Sequence, residues 1–295
     1  MKHSDSIEQD PNISKDREEW DLIIQPKRAW WDLRIKQVWR YRDLILLFVR
    51  RDFVSYYKQT ILGPLWFLIQ PLLTTGVFTI IFGQVAALPT DGLPPFLFYL
   101  SGTVIWSYFS QCLSATSDTF IANQNIFGKV YFPRLVTPIS ILISNMITFG
   151  IQFLMFIGFV IFFMLGGADV QITLSALLLP VLIFLMAGLG LGFGIIISSL
   201  TTKYRDLKFL VGFGIQLWMY ATPVIYPVSS IPERWQWIAL VNPITPIVET
   251  FRHAFLGAGT ASFGMLGYSF IAMLVVFFIG VLLFNRVEQT FMDTV

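Results

Sequence analysis

The sequence predicts an all-α integral membrane protein: six transmembrane helices, an N-terminal amphipathic interface helix, and a re-entrant outer helical pair between spans 5 and 6. Three observations predict it. The chain is 55% hydrophobic and only 13% charged, whereas a soluble domain carries about 25% charged residues. Its mean hydropathy of +0.68 is too apolar for a surface that faces water. Its apolar residues gather into six runs near the spanning length, and its Lys and Arg fall almost wholly on one side of them.

Residues 1–29 are a polar tail of mixed charge without the apolar core of a signal peptide, so the amino terminus is expected to stay in the cytoplasm. In residues 30–60, Trp30, Trp31, Ile35, Val38 and Trp39 alternate with Arg34, Lys36, Arg40 and Arg42. Apolar aromatics beside a basic face suit a helix lying in the headgroup layer. The plainer reading is a positively charged flank of the first span. Residues 61–295 form the six-helix domain, with spans at roughly 61–86, 96–117, 138–165, 173–200, 208–227 and 262–284. Such runs must be helices, because lipid offers no partner to free backbone groups. Placed with the amino terminus inside, the head together with Lys129, Arg134, Lys203, Arg205, Lys208 and Arg286 holds 18 of the 20 Lys and Arg, leaving only Arg234 and Arg252 outside. The expected place is the cell inner (cytoplasmic) membrane, with many passes and both termini cytoplasmic.

Three connecting pieces carry further information. The inside loop 118–137 is longer than a minimal connector and shows surplus aromatics, Phe127, Tyr131 and Phe132, ahead of Pro133. Exposed aromatics suggest a docking site for another protein; aromatics resting at the membrane interface are the equal alternative. The outside segment 228–261 has two apolar stretches, 235–241 and 246–256, too short to span, with Pro243 and Pro246 between them. That pattern fits a re-entrant or interfacial pair. The inside loop 201–208 is short and charged.

Several chemistries are excluded. There is no phosphate-binding G-x-x-x-x-G-K-[ST] loop and no H-E-x-x-H. A single cysteine, Cys112, allows no internal disulfide and reads as a packed small side chain. Of the two histidines, His253 is expected at a surface or interface rather than on a metal. The spans hold almost no ionisable groups, whereas ion-coupled carriers need them. Energy for uphill movement would then come from elsewhere. Neutral polar groups do occur: Gln70, Gln84, Gln111, Asn145, Gln152 and Gln216 either join helices or line a path. Small residues over 187–199 favour close helix packing. Trp and Tyr at helix ends fit an aromatic belt. They also fit a sugar-stacking surface, for which Trp66, Trp106, Tyr108, Trp218 and Tyr220 are the candidates.

Several stretches in order then resemble one family. They are IIQPKRAWWDLRIKQVWRYRDLILLFVRRDF in the head, YYKQTILGPLWFLIQP at 56–71, NIFGKVYFPRLVTPIS at 125–140, KYRDLKF at 203–209, TPVIYP at 222–227, NPITPIVETFR at 242–252, and the ending FNRVEQTFMDTV. Together they resemble the membrane (permease) subunits of polysaccharide-exporting ABC transporters, the O-antigen and teichoic-acid export family, across nearly all of 22–295. The resemblance implies a homodimer of six-helix subunits above two copies of a nucleotide-binding ATPase subunit, which would carry the ATP and magnesium. This chain would bind no cofactor or nucleic acid and would not be an enzyme. It implies an interface helix at 30–58 and a coupling helix at 120–134, for which Phe127, Lys129, Tyr131, Phe132 and Arg134 are the docking candidates. It implies gate helices at 229–257, with Trp235, Trp237, Pro243 and Pro246 as the gate candidates. The cargo would be a lipid-linked polysaccharide, moved from the cytoplasmic to the outer face. Export of a small lipid or drug is the first alternative. A membrane-embedded transferase built on Glu233, Glu249, Arg252 and His253, or a passive channel, are the others.

Overall fold

The computed structural model describes residues 35–58, 60–130, 132–202, 204 and 206–294, with backbone only at 35–36, 56–57 and 288–294. The expectations for residues 1–34, Tyr131, Lys203 and Arg205, and for the side chains of Ile35 and Lys36, lie outside the described residues. Among the described residues every regular element is helical.

Two helices open the chain, α1 (Ile35–Arg40) and α2 (Arg42–Lys58). A single turn, Gly63–Leu65, leads into α3 (Trp66–Phe78), which widens into a π-helical segment, Thr79–Val85. Then come α4 (Pro95–Ser117), the one-turn helices α5 (Thr119–Ala122) and α6 (Gln124–Phe127), and α7 (Val136–Leu165). A short 3-10 segment, Leu174–Leu178, leads into α8 (Leu179–Thr201), followed by α9 (Leu207–Ala221). The chain closes with α10 (Glu233–Val241), α11 (Thr245–Leu256) and α12 (Phe263–Thr294).

Four stretches are long and apolar enough to cross a membrane: Gly63–Val85, Val136–Leu165, Leu174–Thr201 and Phe263–Val287. The other two predicted spans differ from these. α4 has 23 residues but carries Ser, Thr and Tyr throughout, and it is sunk among α3, α7, α8, α9 and α11. α9 has 15 residues, about 22 Å of helix against a hydrocarbon core of about 30 Å. The run 208–227 is therefore not helical to its end. Thr222 turns extended (φ −100°, ψ 143°) because Pro223 disfavours helical geometry in the residue before it.

α8 lies at the centre, and its glycines set its distance from both neighbours. A Cβ on Gly190 would stand 2.8 Å from Cys112 Cβ, and one on Gly194 would stand 2.6 Å from Thr116 Cβ, both on α4. On the other side Gly188 faces Met273, and Gly192 faces Val276 and Phe277 of α12. Positions 188 and 192 share one helix face and 190 and 194 another, so two small-residue stripes admit two helices at close range. Cys112 is buried, as a packed side chain should be, and accepts a contact from Asn145 Nδ2 of α7 at 3.7 Å. Pro71 inside α3 offers no N–H to the carbonyl of Phe67, four residues back. Gln152 Nε2 of α7 donates to that carbonyl at 3.2 Å, so Gln152 joins helices rather than lining a path.

The first described helices, residues of the segment 118–136 and the C-terminal halves of α8 and α12 meet at one end, called here the base. The loop 86–94 and the segment 222–262, with α10 and α11, form the far end, where Ser229 Oγ donates to Asp91 Oδ1 at 2.7 Å.

Candidate functional site

At the base, two one-turn helices have too little surface to bury anything alone, and the segment folds back on its neighbours instead. Phe120 meets Phe284 of α12 at 4.6 Å between ring centroids and Phe127 at 6.1 Å. Phe127 meets Phe132 at 5.6 Å, and Phe132 meets Phe48 of α2 at 5.8 Å. Val38, Ile45, Val49, Val136, Leu191, Ile195 and Val281 complete this apolar cluster. The expectation of exposed docking aromatics is thus corrected for Phe127 and Phe132, each only 4% exposed. They are the inner face of the loop because α1 and α2 present a ridge, Val38 on α1 and Ile45, Phe48 and Val49 on α2, that must be covered. Arg134 is also buried, its guanidinium 5.4 Å from the Phe127 ring centre. The surface of the loop is instead Asn125, Gly128, Lys129 and Val130. Beside it Lys208 Nζ, at the start of α9, pairs with Asp118 Oδ2 at 3.0 Å.

The far end is built from directed hydrogen bonds. α10 and α11 meet at Asn242–Pro243, where Asn242 leaves the helical region (ψ 114°) ahead of the proline. Its Nδ2 donates to Thr222 Oγ1 at 2.8 Å, and its Oδ1 accepts from Trp218 Nε1 at 3.3 Å and from the N–H of Ile244 at 3.1 Å. Thr222 Oγ1 returns a bond to the Trp218 carbonyl at 2.8 Å. From α12, Tyr268 and Ser269 donate to the carbonyls of Val241 and Pro243 at 2.6 and 2.7 Å. Pro246 is buried in the first turn of α11, where its missing N–H leaves no gap, and Pro243 is half-buried. Trp235 and Trp237 stand exposed on α10.

α11 inserts the largest fully buried side chain among the described residues, Arg252, 1% exposed. Its Nη2 donates to the carbonyl of Val224 at 2.7 Å, its Nη1 meets Glu249 Oε1 at 3.4 Å, and its guanidinium lies 3.8 Å from the Phe98 ring centre. It fits because residue 102 is glycine: a Cβ there would stand 2.9 Å from Nη2. Glu249 also accepts from the backbone of Thr260 and Val228. Burial pushes the Glu249 carboxyl above the usual carboxylate range and the Arg252 guanidinium down to about 10, and each charge opposes the shift of the other. Glu249 is sealed by these partners, which takes one of the two acids of the transferase alternative out of reach. His253 is half-buried on the same helix. Gly257 ends α11 in the left-handed region (φ 78°), donating back to His253.

The sugar-path candidates separate. Trp66 and Tyr220 are exposed. Trp106 packs on Phe109 and Tyr108 on Phe149, both deeply buried, so within this chain they are core rather than path. Trp218 is half-buried between Phe109 and Phe193 and is spent on Asn242. What α4 leaves open along its lower half is a stripe of Ser107, Ser110, Gln111 and Ser114 running to Asp118. These positions recur at helical spacing, a signal readable in the sequence had burial of the remaining faces been known. Gln111 has no hydrogen-bond partner among the described residues, and Gln70, Gln84 and Gln216 are exposed on α3, the π-helical segment and α9. No group of three or more potential metal ligands occurs among the described residues.

Residues 43–256 match the family described as "ABC-2 type transporter". An O-antigen export system permease protein RfbA of Klebsiella pneumoniae is 30% identical over 257 residues, covering 85% of this chain and 94% of that protein. The protein of the same name from Myxococcus xanthus is 27% identical over 75% of this chain and 83% of its own length. The polysialic acid transport protein KpsM of Escherichia coli is 26% identical over 83% and 93%.

Proposed function

This chain belongs to the ABC-2 type transporter family, and from that premise we propose that it is the permease subunit of an ATP-driven exporter of a lipid-linked cell-envelope polysaccharide. The observation that carries the reading is the base. A chain without a phosphate loop holds its segment 118–136 rigidly to α2, α8 and α12 through one aromatic cluster, and turns Lys129 and Val130 outward. That is a handle for a separate motor. Movement of the handle carries the attached helices with it, because a packed core transmits displacement rather than absorbing it.

The rest of the reading follows from this. Two copies of the chain and two of a nucleotide-binding ATPase form the complex, with ATP and magnesium on the ATPase. The chain crosses the cell inner membrane six times, α4 and α9 completing the count inside the assembly, and both termini are cytoplasmic. α1 and α2 lie along the inner headgroups, and α10 and α11 form the outer gate about Asn242. The cargo passes the open hydroxyls and amides of α4 and its neighbours, Ser107, Ser110, Gln111 and Ser114 among them. Those groups would be poorly served by lipid and suit sugar hydroxyls, while the exposed rings of Trp66 and Tyr220 offer stacking.

Purification of the tagged protein from native cells tests the core of this. A stoichiometric partner bearing a phosphate loop is expected, and Val130→Asp should remove that partner while leaving the yield of the permease unchanged. An intact complex without any ATPase would overturn the reading.

A further inference from the structure

We propose that the far end of this protein binds the lipid end of its cargo, a hydrocarbon chain held in a cavity beneath α10 with its phosphate at Arg234. The proposal rests on the export reading above.

The cavity has a volume of about 470 Å³, within the range of about 300–1,000 Å³ typical of small-molecule sites. α10 supplies Trp235, Ile238 and Ala239, one face at i, i+3 and i+4 spacing. Leu88, past the π-helical segment, and Ala221, the last residue of α9, close the other side. Two hydroxyls stand in the wall, and both are spent within the chain. Tyr226 donates to the carbonyl of Tyr220 at 3.0 Å, and Ser230 to that of Pro227 at 2.8 Å. These two hydroxyls keep acceptor lone pairs but no free donor, so the wall offers a sugar little, whereas a hydrocarbon chain needs no hydrogen-bonding partner.

The mouth carries the opposite chemistry. Trp235, a wall residue, is also exposed, and amphipathic rings of this kind settle at headgroup depth. The guanidinium of Arg234 lies 5.8 Å from the Trp235 ring centre and is open to solvent, while the other far-end arginine, Arg252, is sealed inside. An exposed guanidinium beside an apolar slot matches a phosphate-headed lipid. Glu233, exposed one residue earlier, weakens the site for a free phosphate, so the chain in the cavity must supply much of the binding. The slot borders the Asn242 hinge through α10, so a lipid seated there would be held at the exit while the gate moves.

The test uses the purified complex with its ATPase in phosphatidylcholine nanodiscs, labelled with a diazirine-bearing farnesyl phosphate. Adducts are expected within 226–239, displaced by unlabelled polyprenyl phosphate but not by phosphatidylglycerol. Ala221→Phe, which fills the slot from an exposed position, should cut the labelling by about tenfold. Arg234→Gln should cut it by about threefold, as befits a solvent-exposed ion pair. Retained co-purification of the ATPase serves as the folding control for both variants. Equal labelling by a diazirine phosphatidylglycerol, or labelling that neither variant reduces, would overturn the pocket. Export with an ATPase partner but no adducts would sink this inference alone, whereas absence of the ATPase partner would sink the export reading itself.

Discussion

The two ends of the molecule are held by different physics. The base is an apolar cluster in which Phe48, Phe120, Phe127, Phe132 and Phe284 touch by edges and faces. Its attraction is non-directional and scales with buried area. The far end is a set of single bonds aimed at single atoms: Asn242 to Thr222, Ser269 to the Pro243 carbonyl, Arg252 to the Val224 carbonyl. A cluster of the first kind moves as a block. A network of the second kind has discrete alternatives, since each bond is either made or broken. In the function proposed above, force would enter at the stiff base and cargo would leave at the switchable far end.

The comparison can be broken most sharply at Arg252. Arg252→Ala leaves a buried carboxylate at Glu249 and an unserved carbonyl at Val224, and should cost about 3–5 kcal/mol. A thermal unfolding curve in detergent reads it, and Arg252→Met with Glu249→Leu should recover much of the loss. If the single variant unfolds like the parent, the far end is not held by this pair. Phe120→Ala, at the centre of the base, should cost about 3 kcal/mol and lower ATPase co-purification through lost rigidity. Val130→Asp, in contrast, should lower co-purification at unchanged stability. Equal melting of the two variants would mean that the cluster is not structural. Asn242→Ala comes last, at about 2 kcal/mol, because it unpairs Trp218 and the Ile244 N–H but leaves the Ser269 and Tyr268 bonds in place. Its stronger readout is an altered ratio of export to ATP hydrolysis; a proportional fall in both would argue against a hinge.

Much of the candidate site was legible as segments and little of it as contacts. The aromatic loop around Phe127 stood out by composition, yet composition cannot say whether a ring faces a partner or its own chain. Phe127 and Phe132 turned inward because α2, some eighty residues earlier, offered them a ridge. Trp106 and Tyr108 looked like path residues for the same reason and are core instead. Gln111 read either as a helix-joining group or as part of a path, and Ser107 and Ser114 gave no signal beside it, because small polar residues in a helix read as packing until their neighbours are known. Arg252, read as an outside charge and as a member of the transferase alternative, is the centre of the far-end lock, in the space that Gly102 leaves open.

What the sequence determined alone rests on solvent. Apolar runs, the interruption at Pro243 and Pro246, and the segregation of Lys and Arg reflect local transfer energies and backbone geometry, which each segment carries by itself. An all-helical membrane protein followed from these. Only the tertiary structure decided which side of each helix is used. The glycines of α8 admit α4 and α12 at once, Gln152 answers the carbonyl freed by Pro71, and Glu249 meets the backbone of Thr260 and Val228. Such pairings depend on the meeting of segments far apart in the chain, and no local property of either partner records the other.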